Sequence, residues 1–160
     1  TLKDYPSHFP VGDPDHELAH RIAARIVDVV ELFDDHPIRA VPMRVAVHTP
    51  CTLSSGQQLV TNVADVLTRA GIDVVALGPH LACCGSAGTY SVLQPKLARA
   101  LQAKMVTALT THSPEVIVTA NIGCQMHLGA GTDVPVLHWA ELLWQQHEAL
   151  LAAPDLVPDR

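Results

Sequence analysis

Apolar positions along this chain follow two alternating periods, and their alternation predicts the architecture. A proline and acidic residues in Pro14-Asp15-His16-Glu17 suit a first helical turn. Leu18, Ile22, Ile26, Val29, Val30 and Phe33 then recur at helical spacing and predict a helix that ends near His36-Pro37. Residues 43–48 (MRVAVH) read as a buried strand. Residues 52–55 offer a helix cap, residues 57–70 place Leu59, Val63, Val66, Leu67 and Ala70 on one face, and Gly71 stops that helix. Residues 72–77 (IDVVAL) form a second strand.

A loop over residues 78–89 follows, with three glycines and two adjacent cysteines. A helix is expected over residues 94–112, with Leu97, Leu101, Met105, Ala108 and Leu109 inward, and Ser113-Pro114 breaks it. Residues 116–120 (VIVTA) are a third strand, residues 134–138 a short fourth, and residues 139–151 a closing helix. Strands alternating with helices mean βαβ units. The expected fold is therefore α/β: a mainly parallel sheet of about four strands with flanking helices and right-handed crossovers.

Composition narrows this little. At 160 residues and 48 % hydrophobic, the chain suffices for one core with a helical lead-in. Only 4 % of residues are aromatic, so Val, Ala and Leu must fill that core. The net charge of −6 and the scattered basic residues argue against a nucleic-acid partner, which needs a basic stripe. No apolar run approaches the roughly 20 residues of a membrane span, and no secretory leader precedes the first helix. The expectation is a cytoplasmic protein. Residue 1 is threonine, and residues 1–14, rich in proline, read as a connector within a longer chain.

The cysteines change the picture. Cys51 follows the first strand, Cys83 and Cys84 lie in the glycine-rich loop after the second, and Cys124 follows the third. All four are expected in loops. Loops at the carboxyl ends of parallel strands gather on one edge, where ligands bind. Three distant segments thus deliver four thiols to one rim. Disulfides are rare in such a chain, and buried apolar cysteine explains one thiol better than four. Metal binding also explains Gly56, Gly85, Gly88 and Gly123, which let backbone pass close to a bulky centre and turn amides toward sulfur. Adjacent Cys83 and Cys84 point to opposite sides of an extended chain. That suits a cluster several ångströms across better than one tetrahedral zinc ion. Zinc remains the alternative. His127 forms a Cys-x-x-His pair with Cys124. His48 and His138 end strands on the same rim and His80 lies in the cysteine loop; for these three, a hydrogen-bonded structural role is the expectation. Nothing singles out a nucleophile with a base and an orienting carboxylate, and no phosphate loop or dinucleotide fingerprint is present.

Pro50-Cys51, Cys83-Cys84-Gly85 and Gly123-Cys124 together resemble the CCG, or cysteine-rich, domain: one cysteine, a gap, Cys-Cys-Gly, a second gap, then Cys-x-x-Cys. The gaps here are 31 and 39 residues. The domain occurs in the B subunit of heterodisulfide reductase, in lactate-utilisation proteins and in glycolate oxidase iron–sulfur subunits. Residues 83–90 and 119–125, with His138-Trp139 and Glu141-Leu142-Leu143, are similar to the glycolate oxidase branch, and the likeness runs over residues 1–147. The resemblance implies an iron–sulfur cluster, of the 4Fe-4S type, on Cys51, Cys83, Cys84 and Cys124. It implies electron transfer toward the respiratory chain from FAD-containing subunits that oxidise glycolate to glyoxylate, at the inner face of the cytoplasmic membrane. Position 127 departs from the pattern, with histidine for cysteine: either His127 ligates, or the four cysteines do so alone. Related domains bind zinc, so a structural or assembly module is the alternative. The implied organisation is a CCG domain at 41–151, a remnant of a preceding CCG domain at 1–40 and a tail at 152–160, with a ferredoxin-like segment and the rest of a first CCG domain lying further upstream.

Overall fold

The computed structural model of the chain describes residues 2–33, 38–75 and 83–153. It divides into two compact units, residues 1–36 and 37–160.

The first unit is more ordered at its start than the connector reading expects. Leu2–His8 form a 3-10 helix despite Pro6, and helix α1 (His16–Ala23) packs on it. The single helix expected over residues 14–36 is broken. Beyond Ala23 the chain leaves the helix and returns as a 3-10 turn at Val29–Phe33. Ile26, Val27, Val29 and Val30 are β-branched and stiff in a helix. Asp28 competes as well: its Oδ1 accepts the Val30 N–H at 3.1 Å, and its own N–H donates to Glu31 Oε2. Ala19, not Leu18, is the buried residue of α1.

Among the described residues the second unit contains four strands, β1 (Arg44–His48), β2 (Asp73–Val75), β3 (Val116–Thr119) and β4 (Val136–His138). All pairings are parallel and the order is β2-β1-β3-β4. Because the chain runs from β1 to β2 on one side and then crosses to β3 on the other, the order reverses between β1 and β3. Such a switch point opens a crevice at the strands' carboxyl ends. Register places His48 beside Thr119 at that end.

Among the described residues six helices flank the sheet: α2 (Cys51–Ser54), α3 (Asn62–Arg69), α4 (Tyr90–Leu93), α5 (Pro95–Thr110), α6 (Ile122–Gly129) and α7 (Trp139–Ala152). The helix expected over residues 57–70 begins only at Asn62. Gln58 has φ +62°, which a right-handed helix cannot accommodate. Helix α5 buries Ala98, Met105 and Leu109, while Leu97, expected inward, is exposed. Met105 and Leu109 pack with Ala46, Val75, Ile117 and Leu128 into a core that includes Cys84 and Cys124. Val, Ala and Leu dominate the buried set, and Trp139 is its largest side chain. Among the described residues no helix is long and apolar enough to cross a membrane. Residues 76–82, which hold the end of the second predicted strand and His80, and the tail 154–160 lie outside the described residues.

Candidate metal centre

The site grows from the carboxyl ends of β1 and β3. Side chains alternate along a strand, so His48 shares a face with Ala46, and Thr119 with Ile117. Ala46 and Ile117 belong to the core that holds Cys84 and Cys124. His48 and Thr119 continue that face to the rim, both buried, with Nδ1 of His48 2.9 Å from Thr119 Oγ1.

Thr119 leads into Asn121, which caps α6: its side chain accepts the Cys124 N–H at 3.2 Å. Cys124 therefore rides on the first turn of a helix, where the dipole favours an anion. Cys51 is the first residue of the single turn α2, which follows β1 without a side-chain cap. The expectation that all four thiols sit in loops is corrected for these two. A helix start fixes the backbone of a ligand more firmly than a loop does.

Cys83 and Cys84 approach from the other side. Gly85 turns the chain with φ +97°, and its N–H points at Cys83 Sγ, 3.4 Å away. A Cβ on Gly85 would stand 2.5 Å from the Ala98 carbonyl oxygen, so only glycine lets this turn lie against α5. Gly123 likewise faces Ser86, whose Oγ would be 3.4 Å from an added Cβ. Both glycines thus bring the cysteine loop against α5 and α6. Gly85→Ala combines a left-handed φ with a backbone clash and is expected to cost at least about 2 kcal/mol. Calorimetry should show Tm falling by about 5 °C or more. Gly88→Ala, with no atom within 4 Å of an added Cβ, is the comparison; equal losses would show that the approach to Ala98 is not what matters.

These segments converge on one cluster. Cys84 Sγ and Cys124 Sγ lie 3.1 Å apart. A ring nitrogen of His48 joins them, and the three donor atoms all stand within 4.8 Å of one another. Relative exposures are 4 % for His48, 2 % for Cys84 and 5 % for Cys124, so the trio is shielded from water. Cys83 is half-buried and Cys51 exposed. Both stand outside the trio, yet Cys51 is close enough for its charge to raise the pKa of Cys83 and of Cys124.

The electrostatics favour one thiolate in the buried pair. The hydrogen bond from Cys124 holds Cys84 down at about 5, against the opposing effect of burial, and the backbone N–H and hydroxyl of Ser86 add to it. Cys124, as the donor, is pushed well up, with burial and the Cys84 charge acting the same way. The two shifts run in opposite directions, so the two thiols do not ionise together. Burial lowers the His48 pKa, partly offset by Cys84, and leaves the imidazole neutral and able to act as a ligand. Burial raises Cys83.

His127 is placed differently. Its Nε2 is 3.4 Å from the Ala98 carbonyl oxygen, and its own carbonyl accepts from Gln102 Nε2. His127 is not part of the trio. His138 caps α7 by accepting the Ala140 N–H at 3.3 Å, the structural role expected of it.

Buried sulfurs in contact, with an imidazole beside them, suit a thiophilic metal centre. Residues 45–129, more than half the chain, match the family described as CCG, the cysteine-rich domain. The chain belongs to the CCG cysteine-rich domain family. This CCG domain shows 41 % identity over 134 residues to the glycolate oxidase iron–sulfur subunit of Escherichia coli (strain K12), covering 81 % of this chain and 33 % of that protein. It is 29 % identical to lactate utilization protein A of Oceanobacillus iheyensis, covering 94 % of this chain and 66 % of the relative. It is 30 % identical to the B subunit of the fumarate reductase (CoM/CoB) of Methanothermobacter marburgensis, covering 88 % and 29 %. The chain thus spans from about a third to just under two thirds of the length of these relatives. All four cysteines, His48 and His127 fall inside the CCG match.

Proposed function

We propose that this CCG domain holds an iron–sulfur centre and relays electrons for a flavin-dependent oxidoreductase. The observation that carries the reading is the buried Cys84–Cys124 pair at the switch point of the sheet, with Cys83 and Cys51 on the same rim. Thiolate donors would be drawn from Cys51, Cys83, Cys84 and Cys124. One-electron transfer is the chemistry such a centre supplies when bound. The protein's part is to keep water from the sulfurs, and to offer them hydrogen bonds from Ser86 and the Gly85 N–H.

The finer reading is a 4Fe-4S cluster in a complex that oxidises glycolate to glyoxylate at FAD-containing subunits. It is supported by the 41 % identity to the glycolate oxidase iron–sulfur subunit. Lactate utilization protein A among the relatives fits the same substrate class, small 2-hydroxy acids.

Iron, acid-labile sulfide and zinc content, measured on protein purified without oxygen, tests the reading. About four iron and four sulfide per chain are expected for a 4Fe-4S centre. Zinc without sulfide would replace electron transfer with a structural site, and folded protein holding neither metal would reject the centre altogether.

A further inference from the structure

We propose that His48 supplies a nitrogen ligand to the metal centre, beside Cys84 and Cys124. The inference rests on the metal-centre reading above and goes beyond it, since that reading draws only on thiolates.

Three observations carry it. The first is distance. Donors sharing one ion through bonds of about 2.1 Å for nitrogen and 2.3 Å for sulfur stand at most about 4.4 Å apart for a nitrogen–sulfur pair and about 4.6 Å for two sulfurs. The nitrogen of His48 and the two sulfurs already lie within 4.8 Å of one another, a few tenths of an ångström from those limits. The second is orientation. Nδ1 is engaged by Thr119 Oγ1 at 2.9 Å, which leaves Nε2 for the metal. A metal-binding histidine ordinarily has its other nitrogen held in this way, which fixes both tautomer and ring. The third is placement. His48 and Thr119 are paired in register at the ends of β1 and β3, so the imidazole is mounted on the sheet itself.

His127 offers none of these features. Its Nε2 faces the Ala98 carbonyl oxygen on α5. The histidine of the centre is therefore the one at the end of β1, and the donor set has mixed nitrogen and sulfur character, with Cys83 or Cys51 completing it.

The whole chain, purified without oxygen with ¹⁵N-labelled histidine and loaded with iron and sulfide, provides the test. Electron–nuclear double resonance on the paramagnetic state of the centre should show a strong, directly bonded nitrogen coupling. That coupling is expected to persist in His127→Gln and vanish in His48→Gln. Its absence from the unsubstituted protein, or its survival in His48→Gln, overturns the proposal. Should His48→Gln fail to fold, Thr119→Val keeps the imidazole while releasing its anchor. A changed nitrogen coupling and about tenfold weaker metal retention are then expected, and no change in either counts decisively against His48. Iron and sulfide content separates this result from the reading beneath it. If the chain takes zinc alone, the iron–sulfur reading fails while His48 is judged on the cobalt(II)-substituted protein, whose ligand-field bands should shift in His48→Gln. Unshifted bands overturn the proposal, and a folded chain that takes up no metal overturns both.

Discussion

Cys84→Ser is expected to reduce the bound metal to background while leaving the fold intact. Cys84 is where the interactions of the site meet. Its sulfur touches Cys124 at 3.1 Å, receives the Ser86 hydrogen bonds and lies within 4.8 Å of the His48 nitrogen. Its thiol is also held down at about 5, chiefly by the hydrogen bond from Cys124. Serine keeps the hydrogen-bonding geometry but offers a hydroxyl that stays protonated and that a thiophilic metal does not favour. It also removes the negative charge that attracts the cation. Metal analysis after anaerobic purification, with circular dichroism to confirm folding, reads the result. Cys51→Ser is the comparison, because Cys51 is exposed and outside the trio, and a partial loss is expected there. Metal content unchanged in Cys84→Ser would remove it from the ligand set. Equal loss in both variants would mean that the exposed and buried donors bind as one unit.

Much of this arrangement is legible in the chain. Strand–helix alternation predicts a mainly parallel sheet, and the four parallel strands follow it. Placing each cysteine after a strand predicts a common rim, because parallel strands end on one edge, and Cys84 meets Cys124 across 40 positions of sequence. What stayed hidden was tertiary. The helix starts beneath Cys51 and Cys124 are short, and periodicity needs several turns to register. Leu97 and Ala98 are neighbours on α5, and the larger apolar residue is the obvious inward choice, yet Ala98 is the buried one, where its carbonyl oxygen meets the Gly85 turn. The position of His48 follows from strand alternation. Counting by twos from Ala46 and from Ile117 puts His48 and Thr119 on the cysteine face of the sheet. That alternation was available in the sequence, whereas the Cys-x-x-His spacing drew attention to His127, which α6 turns toward α5.

Trp139→Ala is expected to cause a larger loss of stability than Gly85→Ala. Trp139 is fully buried and is the largest side chain in a core dominated by Val, Ala and Leu. Replacing such a residue leaves a cavity that small neighbours cannot refill, at a cost of about 3–5 kcal/mol. A domain of this kind has about 5–15 kcal/mol in total. With a urea m-value of about 2 kcal/mol/M, the unfolding midpoint should fall by about 1.5–2.5 M. The position carries this loss to the site. Trp139 opens α7 directly after β4, β4 pairs with β3, and β3 delivers Thr119, Asn121 and Cys124 to the rim. Metal retention should therefore weaken along with stability, although Trp139 is not among the donors. Trp144, on the same helix but 58 % exposed, controls for aromatic content, and Trp144→Ala is expected to stay within about 0.5 kcal/mol. If both tryptophans cost the same, the burial of Trp139 is not what anchors this edge of the sheet. If Trp139→Ala destabilises the fold and yet binds metal with unchanged affinity, the site is held by β1, α5 and α6 without help from β4.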